Sequence, residues 1–209
     1  MTTSNDHSGN QFDEEYYSSD SYTNYLQEHD QTAEREVIAP LLSAISPEED
    51  WTFLDVGCAM GGTLIALKRR GYSCKGTEIS PYCLKHSPVK KDMVHGTSTN
   101  IPFDDNSFDV VLNCGVFEYL TCQEAMQSID ELIRVAKRYV SLWVFSPNSD
   151  DWSQQENPDI HRMADTQKLT YEDYKKRIEQ NGATIKTFFR IEDTPSRTAP
   201  EWHFLIAKT

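Results

Sequence analysis

Short apolar runs alternate with amphipathic segments from Trp51 onward. The apolar runs predict five strands, at residues 51–56, 73–79, 93–95, 108–113 and 140–145. Near-continuous hydrophobicity in several of these runs indicates burial on both faces of a parallel sheet. Because strands and helices alternate along the chain, the pattern predicts an α/β fold.

The segments around these strands have the spacing of helices. Residues 62–70 form a helical pattern that stops at Gly71, and residues 123–137 carry an apolar stripe on one face. A lead-in helix that ends before Pro47 is predicted ahead of the first strand. Pro40 falls near the start of this helix or at a kink in it.

The C-terminal part of the chain predicts one helix and two strands after an irregular stretch. Residues 148–167 have no clear period and are expected to form a loop over one end of the sheet. Thr170 begins a capping box for a helix that ends at Gly182. Alternating patterns at 184–190 and 202–208 then predict two late strands.

The N-terminal segment differs from the rest of the chain. Residues 1–34 carry eight acidic side chains and no Lys or Arg. They also hold an unusual density of aromatic residues, namely Phe12, Tyr16, Tyr17, Tyr22 and Tyr25. We therefore divide the chain into an acidic, aromatic segment at 1–34, a candidate lid, and one domain at 35–209.

The charge of the chain limits its expected partners. Its 209 residues include 20 Lys and Arg against 33 Asp and Glu, a formal net charge of -13. Because this charge repels phosphate backbones and anionic lipids, nucleic acid and membranes are not expected as partners. No apolar run approaches the roughly 18 residues of a spanning helix, and no basic leader is present, so a cytoplasmic location is expected.

The five cysteines are odd in number and contain no C-x-x-C pair. This arrangement fits neither a disulfide framework nor a zinc site. Reduced, mostly buried thiols and no bound metal are therefore expected.

A glycine-rich turn follows the first predicted strand. Gly57 and Gly61 can adopt backbone angles closed to other residues, which lets a ligand approach the main chain. About twenty residues onward, a second strand ends at Glu78, and a carboxylate in this position can accept hydrogen bonds from ribose hydroxyls. The spacing lacks the third glycine of the dinucleotide fingerprint, so a pyrophosphate site is disfavoured.

Four short motifs follow one another between Trp51 and Phe145. They are a D-x-G-x-G-x-G-like loop with Ala59 as its middle residue, a G-x-E-x-S segment, a G-T-S segment followed by I-P-F-D-D-N-S-F-D-V-V, and G-V-F-E-Y-L, at residues 54–61, 76–80, 96–111 and 115–120. In this order they resemble the motifs of the class I S-adenosylmethionine-dependent methyltransferases.

The resemblance implies a Rossmann-like, seven-stranded mixed sheet flanked by helices, with an antiparallel hairpin at its C-terminal end. It also implies S-adenosyl-L-methionine as the cofactor. The residues that it assigns to cofactor binding are Asp55, Gly57, Cys58, Ala59, Gly61, Glu78, Ile79, Thr97, Ser98, Asn113 and Cys114.

The implied roles differ among these residues. Glu78 would bind the ribose, and Asn113 with Cys114 would face the sulfonium. Thr97 or Ser98 stands where many relatives have an Asp that contacts adenine. Two roles stay open for Asp55. Its carboxylate can hold the methionine ammonium, or it can cap the loop by hydrogen-bonding the main chain of the loop.

Methyl transfer from a sulfonium needs alignment of the acceptor, and a base only if the acceptor keeps its proton. The candidate bases are Glu118 and Tyr119 after the fourth strand and His161 in the irregular stretch. Each has a structural alternative: Glu118 as a helix cap, Tyr119 in packing and His161 in solvent. The candidate acceptor contacts are Tyr16, Tyr17, Trp152 and Arg162.

The segment 113–116 lacks the N-P-P-Y pattern with which relatives hold nucleobase or glutamine amides. The resemblance therefore favours O- or N-methyl transfer to a small molecule. Two alternatives stay open: cyclisation of the cofactor with release of methylthioadenosine, and a non-catalytic cofactor-binding module. The sequence leaves the oligomeric state undetermined.

Overall fold

The structure, a computed structural model, describes residues 9–18, 25–145, 168–191 and 201–209. The chain divides into two compact units, 1–97 and 98–209. Seven strands form a mixed sheet with flanking helices, which confirms the predicted fold class. The predicted loop at 148–167 lies outside the described residues.

The first unit contains three parallel strands in the order β3-β2-β1. They are β1 (Thr52–Val56), β2 (Ser73–Glu78) and β3 (Met93–His95). The helices of this unit are α1 (Glu14–Ser18), α2 (Tyr25–Thr32), α3 (Ala39–Ile45), α4 (Gly62–Arg69) and α5 (Pro81–His86). In the register, Asp55 of β1 lies beside Gly76 of β2, so the two strands end at the same edge.

The lead-in helix is longer and less regular than its sequence pattern predicts. Between α2 and α3 the chain forms a π-helical segment, Ala33–Ile38. Pro40 lies in the first turn of α3, directly after this π-helical segment. The helix ends at Ile45 because Ser46 adopts a left-handed φ of 47° directly before Pro47.

The second unit contributes strands in the order β4-β5-β7-β6. They are β4 (Phe108–Cys114), β5 (Ala136–Phe145), β6 (Ala183–Ile191) and β7 (Glu201–Lys208). Strand β5 is parallel to β4, and β7 is antiparallel to both β5 and β6, which confirms the predicted C-terminal hairpin. The helices are α6 (Cys122–Val135) and α7 (Tyr171–Gln180).

Helix α6 runs into β5 without a connecting loop. The sequence pattern extends the helix to residue 137, but in the structure Ala136 already pairs with Phe108 of β4. The ammonium group of Lys208 donates hydrogen bonds of 2.9 Å to the carbonyls of Ile133 and Ala136. These contacts satisfy carbonyls at the helix end, and strand pairing takes over from the helix at this junction.

Both long helices of the second unit begin with a capping box. In α6, Thr121 and Glu124 satisfy each other's backbone N–H groups, and in α7 Thr170 and Asp173 do the same. The second box confirms the sequence prediction. Helix α7 places Tyr174 in a buried aromatic cluster, with ring neighbours Phe117, Trp202 and Phe204.

All five cysteines are free thiols within the described residues. Cys58, Cys74 and Cys83 are buried, and burial raises the pKa of the Cys74 and Cys83 thiols to about 11. These thiols therefore stay protonated at neutral pH. Among the described helices, none combines the length and apolar character needed to cross a bilayer.

Candidate functional site

Three positive φ angles turn the chain from β1 into α4. They occur at Gly57 (81°), Ala59 (46°) and Gly61 (85°). The N–H groups of Gly57 and Cys58 donate to the carbonyl of Thr77 at 2.9 and 3.0 Å, so the loop is fixed to the end of β2. The backbone of this loop is thus preorganised at the edge of the first unit's strands.

A second glycine contact brings the loop close to β2. A Cβ at Gly76 would lie 2.4 Å from the sulfur of Cys58, so only glycine allows Cys58 to pack there. Cys58 is itself buried, and burial is the main reason that its pKa is raised well above the usual thiol value. The thiol therefore acts as a packing group that holds the loop against the strand.

The carboxylate of Glu78 binds the backbone of the glycine-rich loop and that of the turn after β2. It accepts hydrogen bonds from the N–H of Ala59 at 2.7 Å and from the N–H groups of Ile79 and Ser80 at 2.8 Å each. The residue is 5% exposed. Burial raises the pKa of this carboxyl, whereas the backbone donors oppose that shift.

Asp55 lies in β1, directly before the loop, and is buried. Its carboxyl is hydrogen-bonded to the side chain of Thr63 in the first turn of α4. The pKa of Asp55 is raised from 3.8 to about 7, mainly by burial; the Thr63 hydrogen bond lowers this pKa and the nearby Glu78 raises it. A carboxyl of this kind changes its charge near neutral pH.

The N-terminal segment contacts the turn after Glu78. The hydroxyl of Ser80 donates to the carbonyl of Phe12 at 2.5 Å and accepts from the N–H of Cys83 at 3.1 Å, as the N-cap of α5. Tyr17 of α1 stacks on Tyr82, with ring centroids 6.0 Å apart. Two of the predicted acceptor contacts, Tyr16 and Tyr17, are half-buried in this arrangement.

The predicted residues of the second unit lie at the ends of elements. Asn113 is fully buried at the end of β4, and the hydroxyl of Ser98 accepts a 2.9 Å hydrogen bond from the hydroxyl of Ser128 in α6. Glu118 lies in a short 3-10 helix and is 6% exposed, with one carboxylate oxygen 3.2 Å from the position that a Cβ on Gly115 would take. The positive φ and absent side chain of Gly115 leave room for this carboxylate.

The structure brings Asp55, the loop and Glu78 together in the first unit, as the sequence predicts. Sequence reasoning missed two residues that contact these carboxyl groups. Thr63 is hydrogen-bonded to the carboxyl of Asp55, and the N–H of Ser80 donates to the carboxylate of Glu78. The Ser-Pro pair at 80–81, a helix N-terminus signal, points to Ser80 as a cap. Three further predictions, Trp152, His161 and Arg162, lie outside the described residues.

The left-handed conformation of Ala59 predicts an unusual response to mutation. Ala59→Gly should leave the free energy of unfolding unchanged or raise it by up to about 1 kcal/mol, because glycine removes the strain of φ 46°. The matched variant Ala44→Gly, at an exposed position of α3, should lose about 1 kcal/mol. Urea unfolding of both variants measures the difference, and equal losses would contradict strain at Ala59.

Residues 54–144 match the family model described as a methyltransferase domain. The fold resembles the crystal structure of magnesium protoporphyrin IX methyltransferase from Synechocystis PCC 6803 with bound S-adenosylhomocysteine. The TM-score is 0.67 at 16% identity, covering 91% of this chain and 88% of that one. The match over residues 54–144 agrees with the family resemblance of the motifs, and the likeness to the solved structure shows the fold.

Two curated relatives are N-methyltransferases from Rauvolfia serpentina. Ajmaline N-methyltransferase is 33% identical over 115 residues, which are 49% of this chain and 38% of that protein. Norajmaline N-methyltransferase is 35% identical over 95 residues, 40% of this chain and 31% of that protein. The matched regions thus span about a third of the length of these relatives.

Proposed function

We propose that the chain transfers the methyl group of S-adenosylmethionine to a nitrogen or oxygen atom of a small-molecule acceptor. The observation that carries this proposal is the buried Glu78 carboxylate, which lies within 2.7 Å of the Ala59 N–H in the glycine-rich loop. A carboxylate at the end of β2 beside such a loop suits a ribose diol. The methyltransferase domain and the relatives support the same activity.

The residues of the first unit fit the nucleoside of this cofactor. A carboxylate offers about four lone-pair sites, and backbone N–H groups of Ala59, Ile79 and Ser80 occupy three of them. One site is open to a first hydroxyl. Of these three donors, the Ala59 N–H lies farthest from Glu78 in the sequence. We therefore expect a second hydroxyl of the ribose to replace it as a donor to the carboxylate.

When bound, the cofactor supplies an activated methyl group, so the protein's own contribution is orientation and proton transfer. We assign Asp55 to the ammonium of the methionine part, since its carboxyl is buried beside the loop formed by Gly57, Cys58, Ala59 and Gly61. Ile79 lies next to Glu78 and is assigned to the adenosine end. The roles of Thr97, Ser98, Asn113 and Cys114 remain those that the family resemblance implies.

In the second unit we propose Glu118 as the group that takes the acceptor's proton. Its carboxylate is buried near Gly115, directly after β4. A buried carboxylate favours an amine acceptor, because it stabilises the positive charge on nitrogen before the proton leaves. The N-methyltransferase names of the two relatives support the same class of acceptor. Tyr119, the next residue, is the second candidate.

The test measures S-adenosylhomocysteine binding by calorimetry. Glu78→Ala should weaken the affinity by about 1.5–3 kcal/mol, the range for hydrogen bonds to a charged group. The matched control is Glu131→Ala, which removes a carboxylate that accepts from the Ile101 N–H and pairs with Arg134 in α6. It should lose stability but keep its affinity.

Unchanged affinity in a folded Glu78→Ala protein would refute the ribose assignment. Incubation of the parent with methyl-labelled cofactor and a set of amines and alcohols, followed by mass analysis, tests the transfer itself. Release of methylthioadenosine without a methylated product would favour cofactor cyclisation instead. Binding without any product across the set would favour a non-catalytic module.

A further inference from the structure

Residues 9–17, here named the N-terminal strap, are anchored on the five residues that follow Glu78. The strap includes the turn in which the Phe12 N–H bonds the Gly9 carbonyl at 3.1 Å, and most of α1. Its rings pack on one another edge to face, Phe12 on Tyr16 at 5.2 Å and Tyr16 on Tyr17 at 5.0 Å. The strap is thus a small aromatic unit with a defined anchoring surface.

The tightest anchor is at Gly9. This residue is buried and has a φ of 70°, and a Cβ built on it would lie 2.3 Å from the carbonyl oxygen of Ile79. The same Cβ would come within 3.0 Å of the Ile79 side chain. Only glycine allows the strap backbone to approach this turn so closely.

The second and third anchors join the strap to α5. Ser80 donates its hydroxyl to the Phe12 carbonyl while its N–H binds Glu78, so one residue contacts both the strap and the carboxylate. Tyr17 stacks on Tyr82 and is hydrogen-bonded to the thiol of Cys83. All three anchors lie within residues 79–83, directly after Glu78.

Two properties make the strap suited to opening. Helix α1 has five residues, and a helix this short is not stable in water without its docking contacts. Glu78 is 5% exposed with the strap docked, so a diol that binds its carboxylate needs a local opening. The strap is anchored on the residues that directly follow Glu78, so its release is a local opening next to this carboxylate.

We propose that the N-terminal strap is a kinetic gate on the nucleoside end of the cofactor site, held shut by the Gly9 contact with Ile79. The proposal rests on the proposed function, since it assigns the nucleoside to Glu78. A gate controls passage in both directions. Loosening it therefore speeds association and dissociation together and changes the equilibrium affinity less than either rate.

The test compares two Gly→Ala variants with the parent protein. Gly9→Ala places a Cβ against Ile79, whereas Gly71→Ala introduces the same substitution at a φ of 88° with no atom within 4 Å. Stopped-flow binding of S-adenosylhomocysteine gives both rate constants. We expect Gly9→Ala to raise both by about tenfold or more and to change Kd by less than about threefold, while Gly71→Ala matches the parent.

Hydrogen exchange of the ligand-free proteins provides a readout that is independent of binding. The Tyr16 N–H bonds the Asp13 side chain at 3.0 Å and the Tyr17 N–H bonds the Asp13 carbonyl at 3.2 Å. These amides should exchange faster in Gly9→Ala and in Tyr17→Ala, which removes the stack on Tyr82. Unchanged exchange in both variants would overturn the assignment of these anchors.

The outcomes distinguish a failure of the gate from a failure of the proposed function. If Gly9→Ala undocks the strap but both rate constants stay at parent values, the gate is overturned and cofactor binding stands. If only dissociation accelerates and Kd weakens in proportion, the strap is a binding contact and the gate is overturned. If the parent protein binds no S-adenosylhomocysteine, the proposed function fails and the gate fails with it.

Discussion

Replacing Glu118 by Gln should lower the turnover number for an amine acceptor by about 10²–10⁴-fold, the usual contribution of a general base. The amide keeps the size of the side chain but cannot take a proton at neutral pH. Since we assign Glu118 to the acceptor and Glu78 to the cofactor, we expect S-adenosylhomocysteine affinity to stay within about twofold.

Tyr119→Phe serves as the companion variant, because it removes a hydroxyl from the adjacent residue with little change in volume. Initial rates with an amine acceptor should fall in Glu118→Gln and stay near the parent value in Tyr119→Phe. If both variants keep near-normal turnover, proton transfer by these side chains is excluded. Positioning of an acceptor that is already deprotonated would then account for the rate.

The second large effect concerns Asp55 and pH. The pKa of this carboxyl is raised by burial from 3.8 to about 7, so the folded protein keeps a proton that the unfolded chain releases. The resulting stability is fully present below about pH 4 and is lost as the pH rises through about 7. A shift of this size corresponds to about 4 kcal/mol between these limits.

Asp55→Asn removes this titration with little change in shape. The free energy of unfolding of this variant, measured in urea from pH 4 to 8, should increase relative to that of the parent as the pH rises. Asp92→Asn gives the contrast, because hydrogen bonds from Lys68 and Lys75 lower the pKa of Asp92 below its usual value of 3.8. Its stabilisation is therefore present throughout the range from pH 4 to 8, and the loss in that variant should stay nearly constant relative to the parent. A constant difference between Asp55→Asn and the parent across the range would contradict an elevated Asp55 pKa.

The strands were predictable because burial on two faces requires continuous apolar residues, as in the run that becomes β4. The end of α6 was not. Its apolar stripe continues to Ala136, and only the pairing of Ala136 with Phe108 shows that the strand begins there. The π-helical segment Ala33–Ile38 was not predictable either, since its apolar spacing fits an ordinary helix equally well.

The candidate site likewise contains residues that were predictable from the sequence and contacts that were not. Asp55 and Glu78 were predictable because each ends a strand beside the glycine-rich loop. The partner of Asp55, Thr63, becomes apparent only once the positive φ angles of the loop bring α4 back toward β1. The Ser80 contact with Phe12 joins residues 68 positions apart, and no local pattern encodes such a distance.

The strand order of the second unit has a consequence for folding. Strand β7 follows β6 in the chain, yet it lies between β5 and β6 in the sheet. Until β7 is inserted, the facing margins of β5 and β6 are unpaired, and such margins are templates for association with other chains. A delay in the insertion of β7 would therefore lengthen the period in which the folding protein is most prone to aggregate.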